Sequence, residues 1–440
     1  MGRCGWDSQF QMSSADFVTR LPILLRPNPA SVVLRPFSPS MQPSGPAPSD
    51  VSRAQRIVNG VLALSEVEVA DELGRVLTDF AGRHRDVARL LRERYAMLAP
   101  DLTAGHTPTP DQALLIGSYF SHEYSYMAAA LFNPSIVPHP DQTGMAEDSI
   151  RFLISLRCVG EGHISSITFR TGVLAGCGTV TMDPVNGHAS VPRVTRSERE
   201  GEIEIACPEG GDVSECVIFP VTPAQRNGLE DVRLVRLVED DGSAHYYGTY
   251  TAFSGSEIRS ELLVTGNFCN FAMQTMTGDA TRNKGMALFP RRVGGRYAML
   301  GRQDGESIWY LTSDSIRDWS GGARVIRPRY PWEFVQMGNC GPPMEVDEGW
   351  LILTHGVGPM RNYAIGAALL DKNDPTKVLA RTPKPLVRPD GEEREGYVPN
   401  VVYSCGAMVC GRTLLLPYAL ADSLTTFATA PLDALFASME

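Results

Sequence analysis

NKGMALFPRRVGGRYAMLGRQDGESIWYLTSDSIRDW, residues 283 to 319, divides into three strands and two tight turns. Strands are expected at Met286–Arg292, Tyr297–Arg302 and Ile308–Thr312, separated by Gly294-Gly295 and Asp304-Gly305. Glycine supplies the positive φ of a tight hairpin, and Leu, Phe, Tyr, Ile and Trp suit a pleated, half-buried surface. The unit is a meander, the local element of a propeller blade. Lys284, Arg291, Arg292, Arg302, Asp304 and Glu306 gather at its strand ends and turns, where charges meet either solvent or a ligand.

Outward from this stretch the same pattern repeats. Short apolar runs separated by Gly, Asp, Asn and Pro extend from Ser149 to Leu420, with turns at Asp240-Asp241-Gly242, Val293-Gly294-Gly295, Asp347-Glu348-Gly349 and Cys410-Gly411. The repeat of roughly 50 to 60 residues is that of propeller blades, with a β-sandwich as the competing arrangement. Residues 57–131 break the pattern: apolar residues recur at threes and fours from Ile57 to Ala99, and a second helix is expected from Pro110 to Leu131 with Thr109 as its cap. Within it, His122 and Glu123 sit among Tyr119, Phe120, Tyr124 and Tyr126, a setting that suits an aromatic packing face better than a catalytic pair. Residues 1–56 are expected to be extended or disordered, with an edge strand in the proline-broken segment Val18–Phe37 and a Pro/Ser linker after it. The expected fold is all-β: a five-bladed β-propeller over 132–440, with an N-terminal α-helical hairpin insert at 57–131.

With 32 prolines, 41 glycines and 20% charged residues, the composition is that of a turn-rich globular chain. A net charge of −10 argues against a nucleic-acid or anionic-membrane partner, since both require a cationic field. No apolar run approaches the roughly 20 residues of a membrane span. The first residues carry Arg3 without an apolar segment, so a cytoplasmic protein is expected. Nine cysteines without a zinc-like spacing are expected to be reduced and mostly buried.

A propeller site draws polar residues from the inner strand ends of every blade. Glu230 and Asp231 begin one such strand, and strand alternation would put Asp231 and Arg233 on one face, so that the guanidinium orients the acid. Arg259, Lys284 and Arg291 supply three cations from separate turns, the number a phosphate dianion needs to offset its desolvation. P-loop, GxSxG, HExxH and EF-hand patterns are absent.

The segments Asn133-Pro134-Ser135, LEDVRL from 229, NKGMALFPRR from 283, GPPMEVDEGWLILTHGV from 341, YAIGAALLDKNDPTKVLARTPKPL from 363 and VPNVVYSCG from 398 resemble glycoside hydrolase family 130, the β-mannoside phosphorylases and β-mannosidases. The resemblance runs from about residue 130 to the C-terminus; the helical insert is not typical of the smaller members. It implies a five-bladed propeller that cleaves β-mannosides with inversion, with no metal or cofactor and with inorganic phosphate as co-substrate in the phosphorylases. It makes Asp231 the acid, acting through a hydroxyl of the mannose, although the family's EDPR is EDVR here. Asn133, Ser135 and Arg157 match mannose-site positions, with Arg233 and Asp304 as further substrate contacts. Lys284 and Arg291 match phosphate ligands, and Arg259 and His355 match less closely. If water is the nucleophile, a carboxylate base about 6.5–9.5 Å from the acid is required, and Glu306 and Glu345 are the candidates. The cations favour phosphorolysis to α-mannose 1-phosphate. The alternatives are a β-mannosidase and a sugar-binding propeller without chemistry, which could assemble as a homo-oligomer through the helical hairpin.

Overall fold

The computed structural model describes residues 15–39, 52–98, 102, 107–176, 178–197, 199–208 and 210–440. Most of the expected N-terminal disorder and most of the Pro/Ser linker lie outside these residues. The chain forms two compact units, one of residues 29–126 with 186–190, the other comprising the rest.

The larger unit is built of antiparallel sheets. The opening meander forms a four-stranded sheet in which Ala287–Leu288, Tyr297–Gly301, Ile308–Ser313 and Ala323–Ile326 pair in chain order. Gly294 and Gly295, at φ 59° and 79°, make the tight turn, closed by Val293 N–H on the Arg296 carbonyl at 2.9 Å. The first strand is shorter than its composition suggests because Pro290 has no N–H to give; its carbonyl instead accepts from Val238 N at 2.9 Å. A five-stranded sheet follows, centred on Gly349–Val357 and Tyr363–Leu370, and another joins Thr413–Leu420 and Leu424–Pro431. Thr19–Leu25 lies at the edge of this last sheet, paired with Leu424–Pro431, as its prolines require of an edge strand. An eleven-stranded sheet contains two meanders, Ala130–Pro138 to Ser165–Leu174 and Gly228–Val238 to Asn270–Thr275, whose strands meet at a parallel bridge between Gly228 and Ser165. Fully buried Trp319, Trp350, Phe289 and Tyr418 fill the cores between sheet faces, and Phe289 meets Trp350 edge-on at 5.0 Å.

One buried ion pair offers a direct test of this packing. Glu333, 1% exposed, accepts from Arg329 N and Tyr330 N at 2.8 and 3.1 Å and from Arg381 Nη2 at 2.6 Å. Removing one partner of a buried pair leaves the other charge uncompensated, so Glu333→Ala is expected to cost about 3–5 kcal/mol in denaturant unfolding.

Among its described residues the smaller unit holds four α-helices where the periodicity suggests two: Arg53–Leu62, Glu66–Phe80, Val87–Ala96 and Pro110–Tyr119. The first break is written in a capping box, in which the Ser65 hydroxyl accepts from Glu68 N and the Glu68 carboxylate accepts from Ser65 N. Thr109 caps the last helix as expected, but that helix stops at Tyr119. Residues Ser121–Ser125 are instead a strand paired with Val32–Pro36. Glu123 is engaged by Arg83 Nε and His84 Nε2, each at 2.8 Å, and the His122 ring meets Phe37 edge-on. The pair is therefore structural. No helix among the described residues is long and apolar enough to cross a membrane.

The expectation of reduced cysteines is corrected at one place. Cys207 and Cys216 form a disulfide, their Cα atoms 6.2 Å apart, because the short helical turn Val213–Glu215 returns the chain to the end of strand Glu202–Ala206. Cys158, Cys340 and Cys405 are buried free thiols, Cys410 is half-buried and Cys269 is exposed.

Candidate active site

Two one-residue bulges create the site. Across from Ile150–Val159, Phe132 pairs with Arg157 but Ser135 pairs with Ser155, so Asn133-Pro134 holds one residue more than its partner strand. The same happens between Glu230 and Arg233, which face Thr251 and Thr249. Asn133 and Asp231 take left-handed backbone at these points, φ 49° and 55°, a conformation Asn and Asp tolerate better than other residues with a β-carbon. Both side chains are thereby turned into one cavity. Asp231 and Arg233 thus share the cavity through the bulge, and regular strand alternation does not account for it. Ser135, wholly buried, does not line the cavity; its hydroxyl accepts from Leu234 N at 2.9 Å and satisfies an N–H beside the second bulge.

The cavity, of about 370 Å³, is lined by Asn133, Arg157, Asp231, Arg233, Lys284 and His355 among the residues given a role in the site from sequence. It also takes in Arg302, Arg361, Tyr363, Tyr403 and Asp422. Asp231 accepts from Asn133 Nδ2 at 2.6 Å and from Arg157 Nη1 at 3.1 Å, while Arg157 Nη2 holds Glu230 at 2.6 Å. Burial opposes ionisation of Asp231, but Arg157 and Lys284 outweigh it and hold the carboxyl below its ordinary range. Glu230 moves the other way, raised by burial in spite of Arg157. Arg233 is 3% exposed and donates to the Asn339 carbonyl at 2.8 Å and to Tyr403 Oη at 2.9 Å. His355 is kept neutral, its pKa driven well down by burial and by Arg302 and Arg233. Arg302 Nε and Asn133 Oδ1 are buried without a hydrogen-bond partner among the described residues.

Asp422 occupies the turn between Thr413–Leu420 and Leu424–Pro431, also with left-handed backbone, φ 50°. Burial and the neighbouring Asp231 raise its pKa from 3.8 to about 6. The native state therefore binds a proton more tightly than the unfolded chain, and stability falls as pH rises from 3.8 to 6. Asp422→Asn is expected to raise the melting temperature at pH 7.5, by a free energy on the order of 3 kcal/mol, and to lose that advantage near pH 4. A variant less stable than wild type at both pH values would contradict this.

Besides Ser135, five residues assigned to the site from sequence lie elsewhere. Arg259 pairs with Glu261 two residues along the same strand, with Nε at 2.9 Å from the carboxylate. Arg291 and Glu345 bind each other through two 2.8 Å contacts, with the Arg291 guanidinium over the Trp350 ring. Asp304 caps its own turn through Glu306 N and Ser307 N at 3.0 and 2.8 Å. Glu306 is exposed on that turn. Each of these charges finds a local partner or solvent, which leaves Lys284 as the only member of the expected cation triad in the cavity.

The cavity thus collects Arg157, Arg233, Lys284, Arg302 and Arg361 against Asp231 and Asp422. Residues 212–440, which supply all of these except Arg157, match the family model of glycoside hydrolase family 130, described as β-1,4-mannooligosaccharide phosphorylase. The chain belongs to glycoside hydrolase family 130. Among the family's named proteins it is similar to a 1,2-β-oligomannan phosphorylase of Thermoanaerobacter, 36% identical over 208 residues, covering 46% of this chain and 68% of that one. It is also similar to a β-1,2-mannobiose phosphorylase of Listeria innocua, 33% identical over 214 residues, covering 47% of this chain and 58% of that protein. The solved structure of a Listeria innocua β-1,2-mannobiose phosphorylase in complex with β-1,2-mannobiose superposes with a TM-score of 0.52 at 21% identity, over 72% of this chain and 92% of that one. That likeness extends the family 130 fold beyond the matched segment.

Proposed function

We propose that the chain is an inverting β-mannoside phosphorylase, converting a β-mannoside and inorganic phosphate to α-mannose 1-phosphate and a free sugar. The cation excess of the cavity carries this reading. Lys284, Arg302 and Arg361 make no ion pair with a carboxylate among the described residues, and a phosphate would satisfy the orphaned Arg302 Nε. A hydrolase would need a second carboxylate as base. Glu306 and Glu345 do not line the cavity.

Asp231 is ionised in the resting pocket, so it acquires its proton with the substrates. Phosphate entering as the monoanion gives a proton to Asp231, and the dianion settles on Lys284, Arg302 and Arg361. A phosphate oxygen then bonds to the anomeric carbon from the α side as the glycosidic C–O bond breaks. The leaving oxygen takes the proton from Asp231, relayed by a mannose hydroxyl, and the carboxylate is restored. Asn133, Arg157 and Asp422 face the mannose, and neutral His355 serves as a hydrogen-bonding wall that adds no charge. The five sheet segments of the larger unit are read as five propeller blades around this cavity, with the eleven-stranded sheet contributing two.

The names of the relatives make β-1,2-mannobiose the first substrate to test and β-1,4-mannobiose the second. Purified protein with each in phosphate buffer is expected to form α-mannose 1-phosphate; failure with both would overturn the assignment.

A further inference from the structure

Tyr397 is 52% exposed, although it precedes Val398, which lines the cavity. Its backbone is fixed against the turn that carries Asp422: Tyr397 N donates to Ser423 Oγ at 2.7 Å and Val398 N to the Ala421 carbonyl at 2.9 Å. The approach is close enough that a Cβ on Gly396 would stand 2.5 Å from both Ala421 Cβ and Ser423 Oγ, so only glycine fits there. The ring is fixed as well. Tyr397 Oη bonds His163 Nδ1 at 3.0 Å, with ring centroids 6.0 Å apart. His163 lies in the turn after Ile150–Val159, the strand that delivers Arg157, and takes left-handed backbone, φ 59°. Met360, 91% exposed, precedes the cavity residue Arg361, and Tyr363 N donates to the Asn400 carbonyl at 3.0 Å, tying that segment to the one bearing Tyr397.

A cavity with an ionic lining is therefore bordered by an exposed, immobilised aromatic ring. The charged lining accounts for phosphate and for the mannose being cleaved; apart from Tyr363, Tyr403, Val398 and Val401 the lining is polar, charged or glycine, and Tyr397 adds an exposed ring for the sugar that leaves. A pyranose presents an apolar C–H face that packs on an aromatic ring. We propose that Tyr397 is the platform for the leaving sugar, with His163 as its positioning residue. The proposal rests on the β-mannoside reading of the cavity and holds whether phosphate or water is the nucleophile.

Calorimetric titration of β-1,2-mannobiose and of α-mannose 1-phosphate separates the two ideas. In Tyr397→Ala, affinity for the disaccharide is expected to fall about tenfold while affinity for the sugar phosphate stays unchanged. Tyr397→Phe keeps the platform and should fall much less. In the reverse reaction from α-mannose 1-phosphate, Tyr397→Ala should raise KM for the acceptor sugar and leave KM for the sugar phosphate alone. Unchanged disaccharide affinity, or a parallel loss for both ligands, would overturn the proposal. Wild-type binding of the disaccharide without phosphorolysis would overturn the nucleophile assignment and leave the platform standing.

Discussion

Asp231→Asn is expected to lower phosphorolytic turnover by about 10²- to 10⁴-fold, the range for loss of a positioned general acid. The substitution preserves size and leaves the bulge geometry to the backbone, which asparagine tolerates at positive φ as Asn133 already does. The loss should fall on kcat, because the proton is needed only as the C–O bond breaks. A mannoside with a leaving group that departs as a stable anion needs no proton, so the variant should recover most of its activity with such a substrate. A purely structural defect would not be rescued, and activity within tenfold of wild type on mannobiose would remove Asp231 from its role.

The second large effect is expected at Lys284. Its ammonium has no direct hydrogen-bond or ion-pair partner among the described residues, yet it lies close enough to Asp231 and Glu230 to favour the ionised form of each, although burial still raises Glu230. Lys284→Ala should raise KM for phosphate by about 10- to 100-fold, the equivalent of one charge-assisted hydrogen bond to an anion, with KM for the mannoside changed little. Arg291→Ala is the control. Its guanidinium is spent on Glu345, so phosphate saturation should be unaffected. An equal effect of both variants would mean that the cavity cations do not constitute the anion site.

Much of this site was legible in the chain, for identifiable reasons. Asn133 and Asp231 stand in largely apolar strands, LFNPSIV and LEDVRLV, and a short polar residue that tolerates left-handed backbone suits a bulge. Lys284 follows from the same stretch that reveals the meander. Arg302 was visible there too, at the end of a strand, but nothing in the sequence distinguishes it from Arg291, six residues before the strand at Tyr297. The distinction is tertiary: Glu345 reaches Arg291, and among the described residues no carboxylate pairs with Arg302. Arg361 and Asp422 sit in turns without a motif, and both take left-handed backbone there. The helix expected to reach Leu131 failed because Ser121–Ser125 finds a strand partner more than 80 residues away, at Val32–Pro36, a contact that local periodicity does not register.

The account turns on what attacks the anomeric carbon. The most direct measurement is to incubate the protein with β-1,2-mannobiose in phosphate-free buffer and again with added phosphate, and to quantify α-mannose 1-phosphate and free mannose in each. The cation-lined cavity predicts one sugar phosphate for each bond cleaved and negligible cleavage without phosphate; release of two free mannoses at a rate independent of phosphate would contradict it.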